Sequence, residues 1–132
     1  MKIKIFILLS LIITIPIFSQ DKYEYDTKIE ITGKIITELF YGPPGFGEDI
    51  KHDKKVYPFL ILLENDIIIN GNTEFPDEKI RKIQLSFPYN QKENIKKFKN
   101  KTVKITGKFF HSDNGNHYTN VLIDVEKIIP IM

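Results

Sequence analysis

Val103 to Val125, VKITGKFFHSDNGNHYTNVLIDV, carries two apolar–polar alternations joined by a polar centre. Val103, Ile105 and Phe109 alternate with Lys104, Thr106 and Lys108, the period of a strand with one wet face. Gly107 interrupts without ending the run, as at a bulge, a sharp bend or a close backbone approach. His111 to Asn116 is polar, and its Asn114-Gly115 pair suits the positive φ of a tight hairpin. The chain is expected to return from Tyr118 to Val125, with Val121, Ile123 and Val125 on one face. His111 and His117 then flank the turn, where neighbouring strand ends bring two imidazoles within reach of a metal or a shuttled proton. No third ligand stands at a diagnostic spacing, so no metal site is assigned.

Working outward, the strands before this hairpin set the class. Thr27 to Phe40 holds Ile29, Ile31, Ile35 and Leu39, a long strand kinked at Gly33 and changing face beyond it. Val56 to Leu63 is an apolar strand that Pro58 delays or places on an edge. Ile67 to Ile69 is either a further strand or an extension of it, closed by Asn70-Gly71-Asn72. Ile80 to Phe87 alternates, with Ile83, Leu85 and Phe87 opposite Lys82, Gln84 and Ser86. Asn90 to Asn100 is the one helical candidate, with Ile95 and Phe98 inward and a solvated lysine face outward. Asp21 to Asp26, DKYEYD, reads as a loose lead-in.

Five strands with one short helix between the third and fourth give a mostly β chain, a small OB-fold-like five-stranded barrel. Another small barrel or a sandwich is the alternative.

The N-terminus has a different character. Lys2 and Lys4 precede an almost wholly apolar Ile5 to Phe18, and Ser19-Gln20-Asp21 turns polar. That is the layout of a secretory signal peptide over residues 1–20, cut after Ser19 or Gln20. An uncleaved anchor is the alternative. Residues 21–132 form one domain, exported to the periplasm or the medium. Removing Lys2 and Lys4 leaves 17 basic against 17 acidic residues. A neutral exported domain is a poor nucleic-acid binder. The sequence has no cysteine, which excludes disulfides, thiolate chemistry and a lipid-modified Cys anchor.

Tyr41 to Asp53, YGPPGFGEDIKHD, is a Gly/Pro loop that sustains neither helix nor central strand. Its aromatic rings either fold back on the core or line a binding mouth.

Four pieces carry a family resemblance. They are Tyr41-Gly42-Pro43-Pro44-Gly45-Phe46-Gly47-Glu48, Ile83-Gln84-Leu85, Val103 to His111 with its Gly107-Lys108-Phe109-Phe110, and Gly115-x-His117-x-Thr119-x-Val121. Their order and spacing, from Thr27 to about Ile128, resemble an exported bacterial family, domain-of-unknown-function family 4431. The family's histidine triple is Asn116-His117-Tyr118 here, and its following proline is Asn120. Only one histidine of the triple is kept, which weakens any metal site the resemblance would imply.

The functional expectation is a binding module with no cofactor. Its candidate ligand contacts are Tyr41, Phe46, Glu48, Gln84, His111, His117 and Tyr118. The expected ligand is a protein, a peptide or a saccharide. Nucleic acid is not expected, nor a membrane once the leader is cut, and the chain is expected to be a monomer. The alternative is a periplasmic hydrolase or metal-binding protein that uses His111 and His117 with His52 and the carboxylates of Glu48, Asp53 and Asp113. No H-E-x-x-H or G-x-S-x-G spacing supports it.

Overall fold

The computed structural model describes residues 11–15, 21–87 and 92–132. The expected signal peptide lies outside the described residues except for 11–15. Among the described residues, no helix is long and apolar enough to cross a membrane.

Eight strands are present: β1 (Lys22–Glu24), β2 (Lys28–Thr37), β3 (Phe40–Tyr41), β4 (Lys55–Val56), β5 (Phe59–Asn70), β6 (Glu78–Ser86), β7 (Thr102–His111) and β8 (Val121–Pro130). β2, β5, β6, β7 and β8 close a barrel. β2 pairs antiparallel with β5 and β7, β5 with β6, and β7 with β8. A parallel pairing of β6 with β8, from Gln84 opposite Leu122 to Ser86 opposite Asp124, completes the ring. This is the expected OB-like barrel, with every long strand paired on both sides.

Inward residues follow the period of two. Ile31, Ile35, Ile61, Ile83, Ile105, Phe109, Ile123 and Val125 make the core. Burying each such side chain is worth about 1.5–3 kcal/mol.

Gly33 does not switch faces, contrary to the sequence reading. Ile31 and Ile35 both point inward, and Gly33 lies between them on the same face. Its role is close approach: a Cβ there would sit 2.5 Å from the Leu62 carbonyl oxygen. Gly107 combines two of the expected alternatives. The β7–β8 register slips between Thr106 and Gly107, which is a bulge, and a Cβ at Gly107 would collide with the Asp124 carbonyl.

Pro58 delays the second barrel strand to Phe59, as expected. Ile67 to Ile69 proves to be the end of the same strand, which runs through a register shift between Leu62 and Ile67. The 3-10 helix Lys92–Phe98 stands where a helix was expected over 90–100; residues 90 and 91 lie outside the described residues. Ile95 is buried, and the segment ends at Asn100 in a left-handed conformation (φ 65°), which asparagine tolerates.

Two further sequence readings are corrected. DKYEYD is not a loose lead-in. β1 adds in parallel to the far end of β5, Lys22 opposite Ile68, and Tyr23 packs edge-on against Phe109 with centroids 5.6 Å apart. The aromatic alternation Tyr23/Tyr25 is a strand signal that its charged neighbours concealed. Likewise, the turn after His111 is not a tight Asn-Gly hairpin. Residues 112–120 form a loop, and neither Asn114 nor Gly115 takes a positive φ. The returning strand begins at Val121 rather than Tyr118.

Candidate functional site

One row on the outside of the barrel is buried although it faces away from the core. Leu60, Gln84 and Leu122 stand side by side across β5, β6 and β8. Both leucines are essentially inaccessible, and Gln84 is 8 % exposed. Two loops cover the row. The first, residues 38–58, joins the first two barrel strands and carries the short β3–β4 ribbon. The second is the loop of residues 112–120.

Gln84 fastens the second loop. Its Oε1 accepts from the Tyr118 amide at 2.6 Å, and its Nε2 donates to the Asn116 carbonyl at 3.0 Å. Its backbone amide donates to the Thr119 hydroxyl at 3.1 Å, and that hydroxyl donates to the Val121 carbonyl at 2.7 Å. The buried amide side chain is thus satisfied at both ends by loop backbone, as burial demands. Gln84, expected to touch ligand, holds the loop that lines the groove and borders the groove itself.

Asp53 fastens the first loop. Its carboxylate accepts from the amides of Gly45 at 2.7 Å, Gly47 at 2.8 Å and Asp49 at 3.1 Å. Desolvation pushes the carboxyl pKa up, but the amide hydrogen bonds from Gly47, Gly45 and Asp49, with His52 nearby, pull it lower still, so it ends below its ordinary value. Phe46, at the tip of this loop, has φ 50°, an uncommon conformation for a bulky residue. It is held there by its amide, which donates to the Gly42 carbonyl at 3.0 Å, and by the Gly47–Asp53 bond.

The two loops meet. The Phe46 ring lies over Gly115, where a Cβ would be 3.4 Å from the ring edge. The Tyr118 ring packs on Phe40 at 5.4 Å, and its hydroxyl rests against Gly42.

Between the loops and the β5–β6 face lies a groove of about 520 Å³, within the usual range for ligand sites. Tyr57, Pro58 and Phe59 form one wall, Asn116, His117 and Tyr118 the other, with Ser86 and Phe87 at the end of β6. Tyr57 is 59 % exposed. Among the described residues, none of those lining the groove is Lys, Arg, Asp or Glu.

The candidate residues therefore separate. Gln84, His117 and Tyr118 line the groove. Phe46 bridges the covering loops, Tyr41 sits in the β3–β4 ribbon opposite Lys55, and Glu48 is exposed on the first loop. His111 is elsewhere. It ends β7 and stacks flat on Phe75, centroids 3.9 Å apart, with Tyr25 beside both rings. His117 instead packs edge-on against Phe110 at 5.5 Å, and its Nδ1 accepts from the Asp113 amide at 3.1 Å. Phe110 and His111 are successive strand residues and face opposite sides. The two histidines accordingly do not converge. Sequence reasoning missed Tyr57, Ser86 and Asn116; the Tyr57-Pro58 pair at the mouth of a strand was the available signal.

Two other polar clusters lie on the surface. A cleft of about 730 Å³ is bordered by Asp21, Glu30, Glu64 and Asp66, but among the described residues no group of three or more His, Cys, Asp or Glu is placed to hold a metal ion. His52 and Asp49 form an exposed pair at 2.7 Å, and among the described residues no nucleophile is bonded to it.

The family model described as Domain of unknown function (DUF4431) matches residues 82–129. Over this stretch the chain resembles that family. The match takes in most of β6, all of β7 and nearly all of β8, and includes Gln84 and the loop of residues 112–120. It leaves out the first loop with Tyr57. No curated protein matches the chain.

Proposed function

We propose that the chain is an exported binding module that seats its ligand in the groove between the β5–β6 face and the two covering loops. The carrying observation is that both loops are fastened by dedicated side chains, Gln84 and Asp53, while the groove between them keeps an exposed tyrosine and unused polar groups. Preorganised walls around an open, partly aromatic groove suit binding. In this fold the second and third strands, with the loops between strands 1–2 and 4–5, form the usual ligand face. β5, β6 and the loops 38–58 and 112–120 occupy those places.

Export rests on the basic, apolar and polar succession of residues 1–20. Ile68 donates to the Asp21 carbonyl and β1 begins at Lys22, so a cut after Ser19 or Gln20 leaves every strand intact. The monomeric state and the periplasm or medium as destination belong to the same proposal.

The test uses the absence of native cysteine. Ser86→Cys and, at the opposite end of β6, Lys79→Cys are each labelled with a bulky maleimide. Labelling at residue 86 is expected to abolish ligand capture, while labelling at residue 79 leaves it intact. Equal capture by both labelled forms would remove the groove as the seat.

A further inference from the structure

The lining of the groove deepens this reading, on which the following rests. We infer that the ligand is an uncharged oligosaccharide. Three features combine. Among the described residues, the lining holds no Lys, Arg, Asp or Glu, so it offers no fixed charge to a phosphate backbone, a uronate or an acidic peptide. Nucleic-acid sites on this fold draw on Lys and Arg that this groove lacks.

Next, the polar groups that remain are neutral and unpaired. The Tyr57 and Ser86 hydroxyls and the Asn116 side-chain amide line the groove, and none makes a hydrogen bond among the described residues. They present donors and acceptors together, the mixture that matches ligand hydroxyls, each of which both donates and accepts. Gln84 adds nothing, because both ends of its amide are engaged.

Third, the apolar part is aromatic. Tyr57, Phe59, Phe87 and Tyr118 all border the groove. A pyranose ring has one face of C–H groups, which sits favourably on the negative face of an aromatic ring. Its hydroxyls project around the rim, where Ser86 and Asn116 stand. Peptide capture by strand addition is disfavoured along the floor of the groove, because β5 is paired on both sides over Leu60–Leu62 and β6 on both sides at Gln84. A proline-rich peptide would suit the aromatic walls, but its prolines carry no N–H, so the acceptor oxygens of Tyr57, Ser86 and Asn116 would go unmet.

The experiment is calorimetry on the chain from residue 21 onward, with cellohexaose, laminarihexaose, maltohexaose and fully N-acetylated chitopentaose, beside an oligogalacturonate, an oligothymidylate and a proline-rich peptide. At least one neutral oligosaccharide is expected to bind, with an affinity unchanged by added salt. Tyr57→Ala is expected to weaken it at least 10-fold and Asn116→Ala by several-fold, while both variants keep the wild-type amide spectrum elsewhere. Glu30→Ala, on the acidic cleft, should bind as the wild type does. If none of the four neutral sugars binds at about 10 mM, a concentration that saturates even a millimolar site, the inference fails. If the peptide or the oligothymidylate binds instead and Tyr57→Ala abolishes it, the saccharide is wrong and the groove stands. If a sugar binds and Tyr57→Ala and Ser86→Ala leave it unchanged, the groove itself is wrong.

Discussion

The Tyr118 amide donates to Oε1 of Gln84 at 2.6 Å, across 34 residues of sequence. This bond takes Tyr118 out of the β7–β8 ladder and turns an expected hairpin into a wall of the groove. Gln84→Ala leaves the Tyr118 amide and the Asn116 carbonyl without their partner. Stability should fall by about 1–3 kcal/mol, read as a lower urea midpoint at unchanged m. Amide exchange at Tyr118 should quicken most. Wild-type exchange there would show that the loop is held by something else.

Asp53 makes the first loop pH-sensitive. Its folded pKa lies below its unfolded value, so its contribution is fully present above about pH 4 and is lost as pH falls through the lowered folded value. The amide resonances of Gly45 and Gly47 should hold their positions between pH 7 and about 4, then move together on further acidification. In Asp53→Asn they should be displaced at neutral pH and insensitive to acid. Titration of these amides near pH 6 would contradict the assignment.

Gly107 and Gly115 are both glycines on the hairpin segment but differ in tolerance. A Cβ at Gly107 would strike the Asp124 carbonyl, which is backbone and cannot swing aside; at Gly115 it meets the Phe46 ring at ordinary contact distance. Gly107→Ala should destabilise by on the order of 3 kcal/mol. Gly115→Ala should stay within about 0.5 kcal/mol of wild type. The reverse order in thermal melts would mean that the bulge is misplaced.

β1 is a working part of the barrel. Tyr23→Ala removes the ring that packs on Phe109 and should cost ~2 kcal/mol. Tyr25→Phe should be nearly neutral or stabilising, because the Tyr25 hydroxyl is buried with no hydrogen-bond partner among the described residues. Chemical denaturation of the two variants side by side checks both signs.

The barrel was legible because each long strand writes its own period: Ile29/Ile31/Ile35, Ile83/Leu85 and Val103/Ile105 each show which side is inward. The turn after His111 was not legible, since its conformation is set by Gln84, far away in sequence. His111 and His117 looked like a pair because six residues separate them, yet strand alternation sends His111, stacked on Phe75, and Phe110, the ring that His117 packs on, to different faces. Gln84, His117 and Tyr118, named from the sequence, all border the groove. Tyr57, Ser86 and Asn116 become neighbours only when β5, β6 and the 112–120 loop are assembled, and no local spacing announces that.

The central claim, that ligand sits against β5–β6 beneath the two loops, is tested most directly by amide-shift mapping of the 15N-labelled chain with a mixed set of neutral oligosaccharides, proline-rich peptides and oligonucleotides. Shifts concentrated at Tyr57, Ser86, Asn116, His117 and Tyr118 are the predicted result. Shifts concentrated at Glu30, Glu64 and Asp66, or at Tyr25, Phe75 and His111, with the groove silent, would contradict it.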